Sequence, residues 1–247
     1  MTPPQKPLSS VRETSLPETI VFKTKRAYIL TADRVWVEPG KILQPGWLLI
    51  ENGRIVAAGS GRPLSAADAE LIDLGPVLVT PGLIDAHVHL DLDPGQGLDL
   101  AGRVFSAASY GLAAVRDGGD NKALVLSSKD LIQRKLLVSA SGRALYSPGR
   151  YGAFLGRPVA GPREMAQAVR ETARCGADQI KILASGPVGL DKFGMVGPPQ
   201  FSAEDLQYLV TLAQNEGLGV MAHANGAKAV IMCLRAGVDS IEHGYFM

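Results

Sequence analysis

The stretch Pro81-Gly-Leu-Ile-Asp-Ala-His-Val-His89 decides the fold prediction, because it carries two closely spaced histidines at the end of an apolar segment. It follows Val77-Leu-Val-Thr80, an apolar run typical of a buried strand that ends in a turn. Side chains two residues apart on a strand point to the same face, so His87 and His89 can direct two imidazoles at one point. The other two histidines of the chain each end a short apolar run further on, at His223 and His243. We predict that all four converge on a metal ion.

The composition describes an ordinary globular protein and excludes several classes. A chain of 247 residues can bury a sizeable core, as one large α/β domain or as such a domain with a small accessory. Lys and Arg number 25 and Asp and Glu number 24, which argues against a protein dedicated to nucleic acid or to a membrane surface. The polar, proline-rich start lacks a signal peptide's apolar centre, and no run approaches the ~18 apolar residues that span a bilayer. The two cysteines, Cys175 and Cys233, are interpreted as buried small hydrophobic residues in a cytoplasmic protein.

The first part of the chain predicts a small β domain. Residues 1–18 are polar and proline-rich and are interpreted as a disordered lead-in. Residues 19–74 follow as a β domain, in which Asn52-Gly53 is a strong hairpin signal between two apolar runs. The expected strands are Ile20–Phe22, Ala27–Leu30, Val35–Val37, Trp47–Ile50 and Ile55–Ala57. A layer of this size is marginal alone and is expected to pack on something.

From residue 75 the pattern changes to alternating strands and helices, which predicts an α/β domain over residues 75–247. The expected strands are Val77–His87, Leu112–Arg116, Leu136–Ala140, Gln179–Leu183, Gly219–Met221 and a sixth from Ser240. One helix is expected within Lys122–Arg134, and another is expected to begin at Ser202, with an apolar face formed by Leu206, Leu209, Val210 and Ala213. Six such repeats imply parallel strands. Each candidate ligand lies at the carboxyl end of a strand, where a (β/α)8 barrel places its catalytic residues. A doubly wound sheet also binds ligands at that edge, so the strand order stays open at this point.

Lys181 is the other unusual residue, because it lies inside the apolar strand Ile180-Lys-Ile-Leu183. A parallel strand that is covered on both faces has no solvent side, and a bare buried ammonium is costly. A lysine in that position is expected to be modified, deprotonated or paired. A His-x-His pair alone is usually incidental, but four histidines that all lie at the ends of predicted strands are not. Imidazoles with oxygen ligands suit zinc or another borderline divalent ion, which activates water and polarises a carbonyl for hydrolysis.

Together these motifs resemble the amidohydrolase superfamily, in its imidazolonepropionase-like and prolidase-like branch. The matching segments run in the family's order from about residue 40 to the last residue. They are Pro81-Gly-Leu-Ile-Asp-Ala-His-Val-His-Leu90, Val115-Arg-Asp-Gly-Gly119, Ile180-Lys-Ile-Leu-Ala-Ser-Gly186, Gln200-Phe-Ser202, Ala222-His-Ala-Asn-Gly226 and Gly237-Val-Asp-Ser-Ile-Glu-His-Gly244. The resemblance implies a (β/α)8 TIM-type barrel, present through about strand six, and a small N-terminal layer that forms part of a composite β-sandwich.

The resemblance also implies roles for five residues. His87 and His89 would bind the more buried of two divalent metal ions, with zinc as the first choice. Lys181 would be carboxylated by carbon dioxide and bridge both ions, while His223 and His243 would bind the second. In the family a strand-eight aspartate binds metal and moves the proton of the attacking water. No aspartate of this chain matches it, among Asp85, Asp91, Asp93 and Asp117, so the sequence predicts a C-terminally truncated chain or a fragment.

Two functions from different classes follow. The first is a hydrolase of carbon–nitrogen bonds in amides, cyclic amides or dipeptides, acting through attack by a metal-activated hydroxide. The alternative is a non-catalytic remnant that binds metal or a partner chain, and open barrel edges would favour self-association. The third possibility is a plain α/β domain in which the histidines have no shared function. Candidate substrate contacts in the loops after strands three and four are Arg150, Tyr151 and Ser185, which are equally well explained as ordinary loop residues.

Overall fold

The computed structural model describes residues 27–63, 69–92, 97–189 and 191–247. The predicted lead-in over residues 1–18 and the predicted strand Ile20–Phe22 lie outside these ranges. The chain divides into two compact units, and the boundary between them in the sequence lies between Pro81 and Gly82. In the described ranges, no helix is both long enough and apolar enough to cross a membrane.

The first unit consists of short strands in two sheets. The strands are β1 (Tyr28–Ala32), β2 (Arg34–Glu38), β3 (Lys41–Leu43), β4 (Gly46–Glu51), β5 (Arg54–Ser60), β6 (Glu70–Asp73) and β7 (Leu78–Val79). One sheet has the order β5-β4-β1-β6 and the other has the order β3-β2-β7. The predicted hairpin is confirmed: β4 and β5 pair antiparallel through Glu51 and Arg54, and both Asn52 and Gly53 have positive φ. Positive φ at both loop positions defines the type I′ turn that matches the twist of the strands.

The second unit alternates strands with helices. Its strands are β8 (Leu83–Val88), β9 (Leu112–Asp117), β10 (Leu137–Ala140), β11 (Ala144–Tyr146), β12 (Gly156–Pro158), β13 (Gln179–Leu183), β14 (Gly219–Ala224) and β15 (Ser240–His243). Its helices are α1 (Leu100–Ser109), α2 (Leu124–Ser127), α3 (Lys129–Ile132), α4 (Gly161–Arg174), α5 (Ala203–Asn215) and α6 (Ala227–Ala236). Every pairing between these strands is parallel, in the orders β10-β9-β8 and β12-β11-β13-β14-β15. The predicted α/β class is confirmed.

Three predicted elements differ from the structure. The expected first strand, Val77–His87, is broken into β7 and β8, and Pro81 between them has no N–H to continue a ladder. The third predicted strand is β10, which ends at Ala140 as expected, but a further strand follows it. The chain bends at Gly142 (φ 69°) and then forms β11, which belongs to the other sheet of this unit. The single helix expected within Lys122–Arg134 is two one-turn helices, α2 and α3, that meet at Ser128.

The core of the second unit lies between β13 and β14 and the helices α4, α5 and α6. Helix α5 begins as predicted at Ser202, whose side chain accepts a hydrogen bond from the Asp205 N–H in a capping box. Its predicted apolar face is buried throughout, at Leu206, Leu209, Val210 and Ala213. All five residues of β13 are buried, so this strand has no solvent side. The packing therefore forces the side chain of Lys181 into the interior.

Candidate metal centre

The four histidines and Lys181 line one cavity of about 550 Å³. The ring centroids of His87 and His89 are 5.4 Å apart, and those of His87 and His243 are 4.8 Å apart. The ring of His223 lies 4.6 Å from that of His243. Strands β8, β13, β14 and β15 each deliver their residue to the cavity at or near the carboxyl end. The structure thus brings together all five side chains that the sequence analysis selected as metal ligands.

Lys181 lies at the bottom of this cavity with only 1% of its surface exposed. Its Nζ lies 3.3 Å from Nε2 of His87. Burial lowers the pKa of Lys181 to about 8, although the negative charge of Glu242 acts in the opposite direction. A larger share of this amine is therefore uncharged near neutral pH than for an exposed lysine, and an uncharged amine is the form that reacts with an electrophile.

His87 on β8 and His89, which directly follows that strand, have their Nδ1 atoms occupied by protein acceptors. Nδ1 of His87 lies 3.0 Å from a carboxylate oxygen of Glu242, and Nδ1 of His89 lies 2.7 Å from the carbonyl oxygen of Gly119. Both partners are acceptors, so they favour the tautomer that carries its proton on Nδ1 and offers the lone pair of Nε2. A second hydrogen bond of this kind fixes tautomer and ring orientation in metal-binding histidines.

His223 is held through its other nitrogen. Its Nε2 lies 3.1 Å from the carbonyl oxygen of Gly186 and 3.2 Å from Nδ2 of Asn225. Nε2 is therefore engaged by the protein, and Nδ1 is the nitrogen left to meet a ligand. His243 ends β15 with a positive φ of 69°, which frees its side chain from the strict alternation of the strand.

Glycine is required beside the histidine pair at one position. A Cβ at Gly118 would lie 2.7 Å from Cε1 of His89 and 3.4 Å from Nε2 of His87. The motif Val115-Arg-Asp-Gly-Gly119 thus serves the site in two ways, since Gly118 leaves room for the rings and Gly119 supplies the carbonyl that binds His89.

The histidines are uncharged at neutral pH. Burial, assisted by the positive charge of Lys181, lowers the pKa of His87 to about 3, and burial lowers the pKa of His223 to about 4. Burial also lowers the pKa of His89 and of His243. A neutral imidazole is the form that binds a metal ion, so the donor set fits a borderline divalent cation in chemical type. Within the described ranges, however, no three His, Cys, Asp or Glu side chains are already closed around a common point.

The three candidate substrate contacts lie in different environments. Tyr151 lines the cavity with its ring 5.7 Å from that of His223, and burial raises its pKa. Ser185 is fully buried, where its Oγ donates to the carbonyl of Gly186 and accepts from the N–H of Asn225. Arg150 is exposed and is not among the cavity's lining residues. Only Tyr151 of the three therefore faces the space in which a substrate would lie.

Several lining residues were not selected from the sequence. The wall is largely apolar and is formed by Phe154, Leu155, Leu183, Pro187, Val188, Asn225 and Tyr245. Most are loop residues without a distinctive neighbour, so the sequence offers no signal for them. Ser240 and Glu242 lie beside the site without lining the cavity, and their side chains bond each other. Their spacing did indicate that they share a face, because residues two apart on one strand do so.

The interpretation of the two cysteines is half wrong. Cys233 is buried as predicted, but Cys175 is exposed, since it follows the end of α4 at the surface.

After β13 the chain returns on itself beside the cavity, as the described residues 184–189 and 191–200 show. Isolated antiparallel bridges join Ser185 to Pro199 and Val188 to Val196. The two limbs approach so closely at Gly186 and Gly197 that a Cβ on Gly197 would lie 2.4 Å from Cα of Gly186. This close approach places Pro187 and Val188 against the cavity.

Comparisons with known proteins give a consistent result. The sequence profile of the amidohydrolase family matches residues 78–247. An uncharacterized protein of Mycobacterium tuberculosis (strain ATCC 25618 / H37Rv) is 30% identical over 203 residues, which are 80% of this chain and 51% of that protein. An ochratoxinase of Aspergillus niger is 29% identical over 211 residues, which are 68% of this chain and 43% of the ochratoxinase. The crystal structure of a Xaa-Pro dipeptidase with methionine bound in its active site matches with a TM-score of 0.72 and 26% identity, covering 89% of this chain and 62% of that one.

The chain therefore belongs to the amidohydrolase family, as the sequence motifs predicted. The matched range includes all five candidate ligands and the whole second unit. The chain spans about half the length of the curated relatives that it matches.

Proposed function

We propose that this protein is a metal-dependent hydrolase of carbon–nitrogen bonds in amides, cyclic amides or dipeptides. The observation that carries the proposal is the contact of Lys181 with His87 at the bottom of a cavity lined by four uncharged histidines. An apolar strand has no structural need for such a lysine, whereas a ligand set of imidazoles and one modified amine gives it a role. The fold match to a Xaa-Pro dipeptidase supports the dipeptide as one candidate substrate.

Five residues would hold the ions, which we propose to be two divalent cations, zinc as the first choice. They are His87, His89, Lys181, His223 and His243. When bound, such ions polarise a carbonyl and lower the pKa of a water molecule. Lys181 would take part after its uncharged amine adds carbon dioxide and releases a proton to solvent, which would give a carbamate with an anionic oxygen donor. Its burial in β13 fixes where that donor points.

The remaining wall would bind the organic part of the substrate and exclude water. Phe154, Leu155 and Val188 offer apolar surface, and Tyr151 offers a phenol that is neutral at physiological pH. In the described part of the chain, the lining residues include no Asp or Glu that could take a proton from the attacking water. Loss of a positioned base costs on the order of a hundredfold to ten-thousandfold in rate, so we expect this 247-residue chain alone to turn over slowly.

We also propose that residues 75–247 are a (β/α)8-type barrel domain and residues 19–74 the β domain, although the two compact units divide a few residues later, between Pro81 and Gly82. The support is the strand order, in which β8, β9 and β10 follow one another, as do β11, β13, β14 and β15. A doubly wound sheet reverses its order at a switch point, and among the described strands of this unit only the three-residue β12 is out of sequence, since it pairs with β11 on the side opposite to β13.

The test is hydrolysis by the purified chain before and after metal is removed. N-acyl amino acids, cyclic amides and dipeptides are assayed with the metal-free protein, with added zinc, and with zinc and bicarbonate. Zinc-dependent hydrolysis that is lost in His223→Asn and retained in Lys228→Gln, an exposed position on α6, supports the proposal. Stoichiometric zinc binding without hydrolysis of any substrate would instead favour the metal-binding remnant, and hydrolysis that persists without metal would contradict the mechanism.

A further inference from the structure

Glu242 is a buried carboxylate that the proposed chemistry does not use directly. Only 7% of its surface is exposed, and it lies on β15 immediately before His243. One of its oxygens lies 3.0 Å from Nδ1 of His87. The other lies 2.7 Å from a guanidinium nitrogen of Arg116 and 2.7 Å from the hydroxyl of Ser240. The two oxygens are therefore divided between different tasks, one facing the imidazole and one facing groups that hold the carboxylate in place.

Arg116 fixes this carboxylate from a second strand. Its Nη2 donates to Glu242, its Nη1 donates to Ser240 at 2.9 Å, and its Nε donates to the carbonyl oxygen of Ala86 on β8 at 2.7 Å. Three nitrogens of one planar group thus connect β9 with β8 and β15, and the planar fork leaves the carboxylate little freedom to rotate.

We propose that Glu242, held by Arg116 and Ser240, is the positioning residue that sets the tautomer and orientation of His87. By accepting from Nδ1, it keeps the Nε2 lone pair directed at Lys181. The inference rests on the proposed metal centre for its purpose, because an orienting partner matters only if Nε2 has a ligand to meet. Among the described strands β8 and β15 are not neighbours, so strand pairing does not by itself bring Glu242 to His87.

The alternative is that Glu242 only neutralises Arg116 inside the protein. The two roles predict different behaviour of His87. A charge partner for Arg116 would leave the imidazole free to take either tautomer, whereas an acceptor at 3.0 Å from Nδ1 excludes the form that bears its proton on Nε2 alone.

The experiment follows the His87 ring by nitrogen-15 NMR in the metal-free full chain and measures zinc affinity separately by competition with a chelator. The His87 signals are assigned by their loss in His87→Asn. In the wild type we expect the proton on Nδ1. In Glu242→Gln the amide oxygen can still accept from Arg116 and Ser240, but the amide nitrogen then faces Nδ1 of His87 and can only donate to it, so we expect the Nε2-protonated form to appear. Zinc affinity should fall about 10- to 100-fold, as is typical when the hydrogen-bond partner of a metal-binding histidine is removed.

Two further variants make each outcome decisive. Glu171→Gln removes an exposed carboxylate that pairs with Arg157 and should change neither measurement. Glu242→Asp keeps the charge that Arg116 needs but draws the carboxylate back from His87, so it should shift the tautomer even if Glu242→Gln does not fold. An unchanged tautomer in a folded Glu242 variant overturns the inference. A wild type that binds no zinc overturns the proposed metal centre, while the tautomer measurement still decides the role of Glu242.

Discussion

Nζ of Lys181 lies 3.3 Å from Nε2 of His87, although 94 residues separate them in the sequence. The contact joins the central residue of a fully buried strand to the edge strand that carries the paired histidines. Neither residue would be buried in this way for packing alone, because both bring a polar group into the interior.

We predict that Lys181 makes zinc binding depend on bicarbonate. The wild type should bind zinc more tightly when bicarbonate is present, because the buried amine then supplies an anionic oxygen donor. Lys181→Gln should lose at least about tenfold in affinity and lose the bicarbonate response. The measurement is zinc affinity at constant pH with and without bicarbonate, and Lys228→Gln is the control for a lost surface charge. Equal bicarbonate responses in wild type and Lys181→Gln would refute the prediction.

Asp117 should make the chain less stable as pH rises. Burial raises its pKa from 3.8 to about 6, although the backbone N–H groups of Leu90 and Gly119 act in the opposite direction. A carboxyl whose pKa is raised in the folded state contributes stability at low pH, and that contribution is lost as pH rises through about 6. Between pH 5 and pH 7 this group should lower the free energy of unfolding by about 1 kcal/mol.

The measurement is urea unfolding of wild type and Asp117→Asn at both pH values. The difference between the two proteins isolates this carboxyl from the histidines, which titrate in both. The exposed Asp130→Asn serves as control and should follow the wild type. A wild type and an Asp117→Asn protein with the same change between pH 5 and pH 7 would show that this carboxyl does not titrate as described.

Loss of the capping box at the start of α5 should lower the free energy of unfolding. The Ser202 hydroxyl accepts from the Asp205 N–H at 3.0 Å, which satisfies one of the free donors at the start of the helix. Ser202→Ala should cost about 1 kcal/mol in the free energy of unfolding, whereas Ser202→Gly should cost only a few tenths, because glycine is accepted at this position. Urea unfolding compares the two, and a cost that is larger for glycine than for alanine would contradict the assignment.

The edge strands should favour association between copies. In the described part of the chain, β8 pairs only with β9, and β15 pairs only with β14. Leu83 and Ile84 on β8 are 61% and 73% exposed, and an apolar strand edge is a site for pairing with another chain. Light scattering should give a mass above that of the monomer for the wild type, and a lower one for Ile84→Lys. Leu131→Lys, at an equally exposed position on α3, should leave the mass unchanged. A monodisperse wild-type monomer would refute this prediction.

The sequence was sufficient to predict which side chains would meet, but not how they are oriented. His87, Lys181 and His223 lie on strands and His89 directly follows one, and strand periodicity with parallel pairing brings them to one edge. His243 adopts a positive φ that no spacing rule foresees, and this lets it share the cavity although Glu242 is its neighbour. The apolar wall could not be predicted either, because Phe154 and Val188 reach the cavity through loop paths that depend on tertiary contacts. The break of the first strand at Pro81 could have been expected from the missing N–H.

The close approach of Gly186 and Gly197 limits which substitutions this segment can accept. Each glycine occupies the space that a side chain on the other would need, so an alanine at either position meets backbone atoms that cannot rotate away. A second substitution at the partner cannot relieve the clash, because nothing smaller than glycine exists. The two limbs can diverge only by altering the length or path of the chain between them, so variation here is confined to insertions and deletions at the turn rather than to exchanges at the crossing.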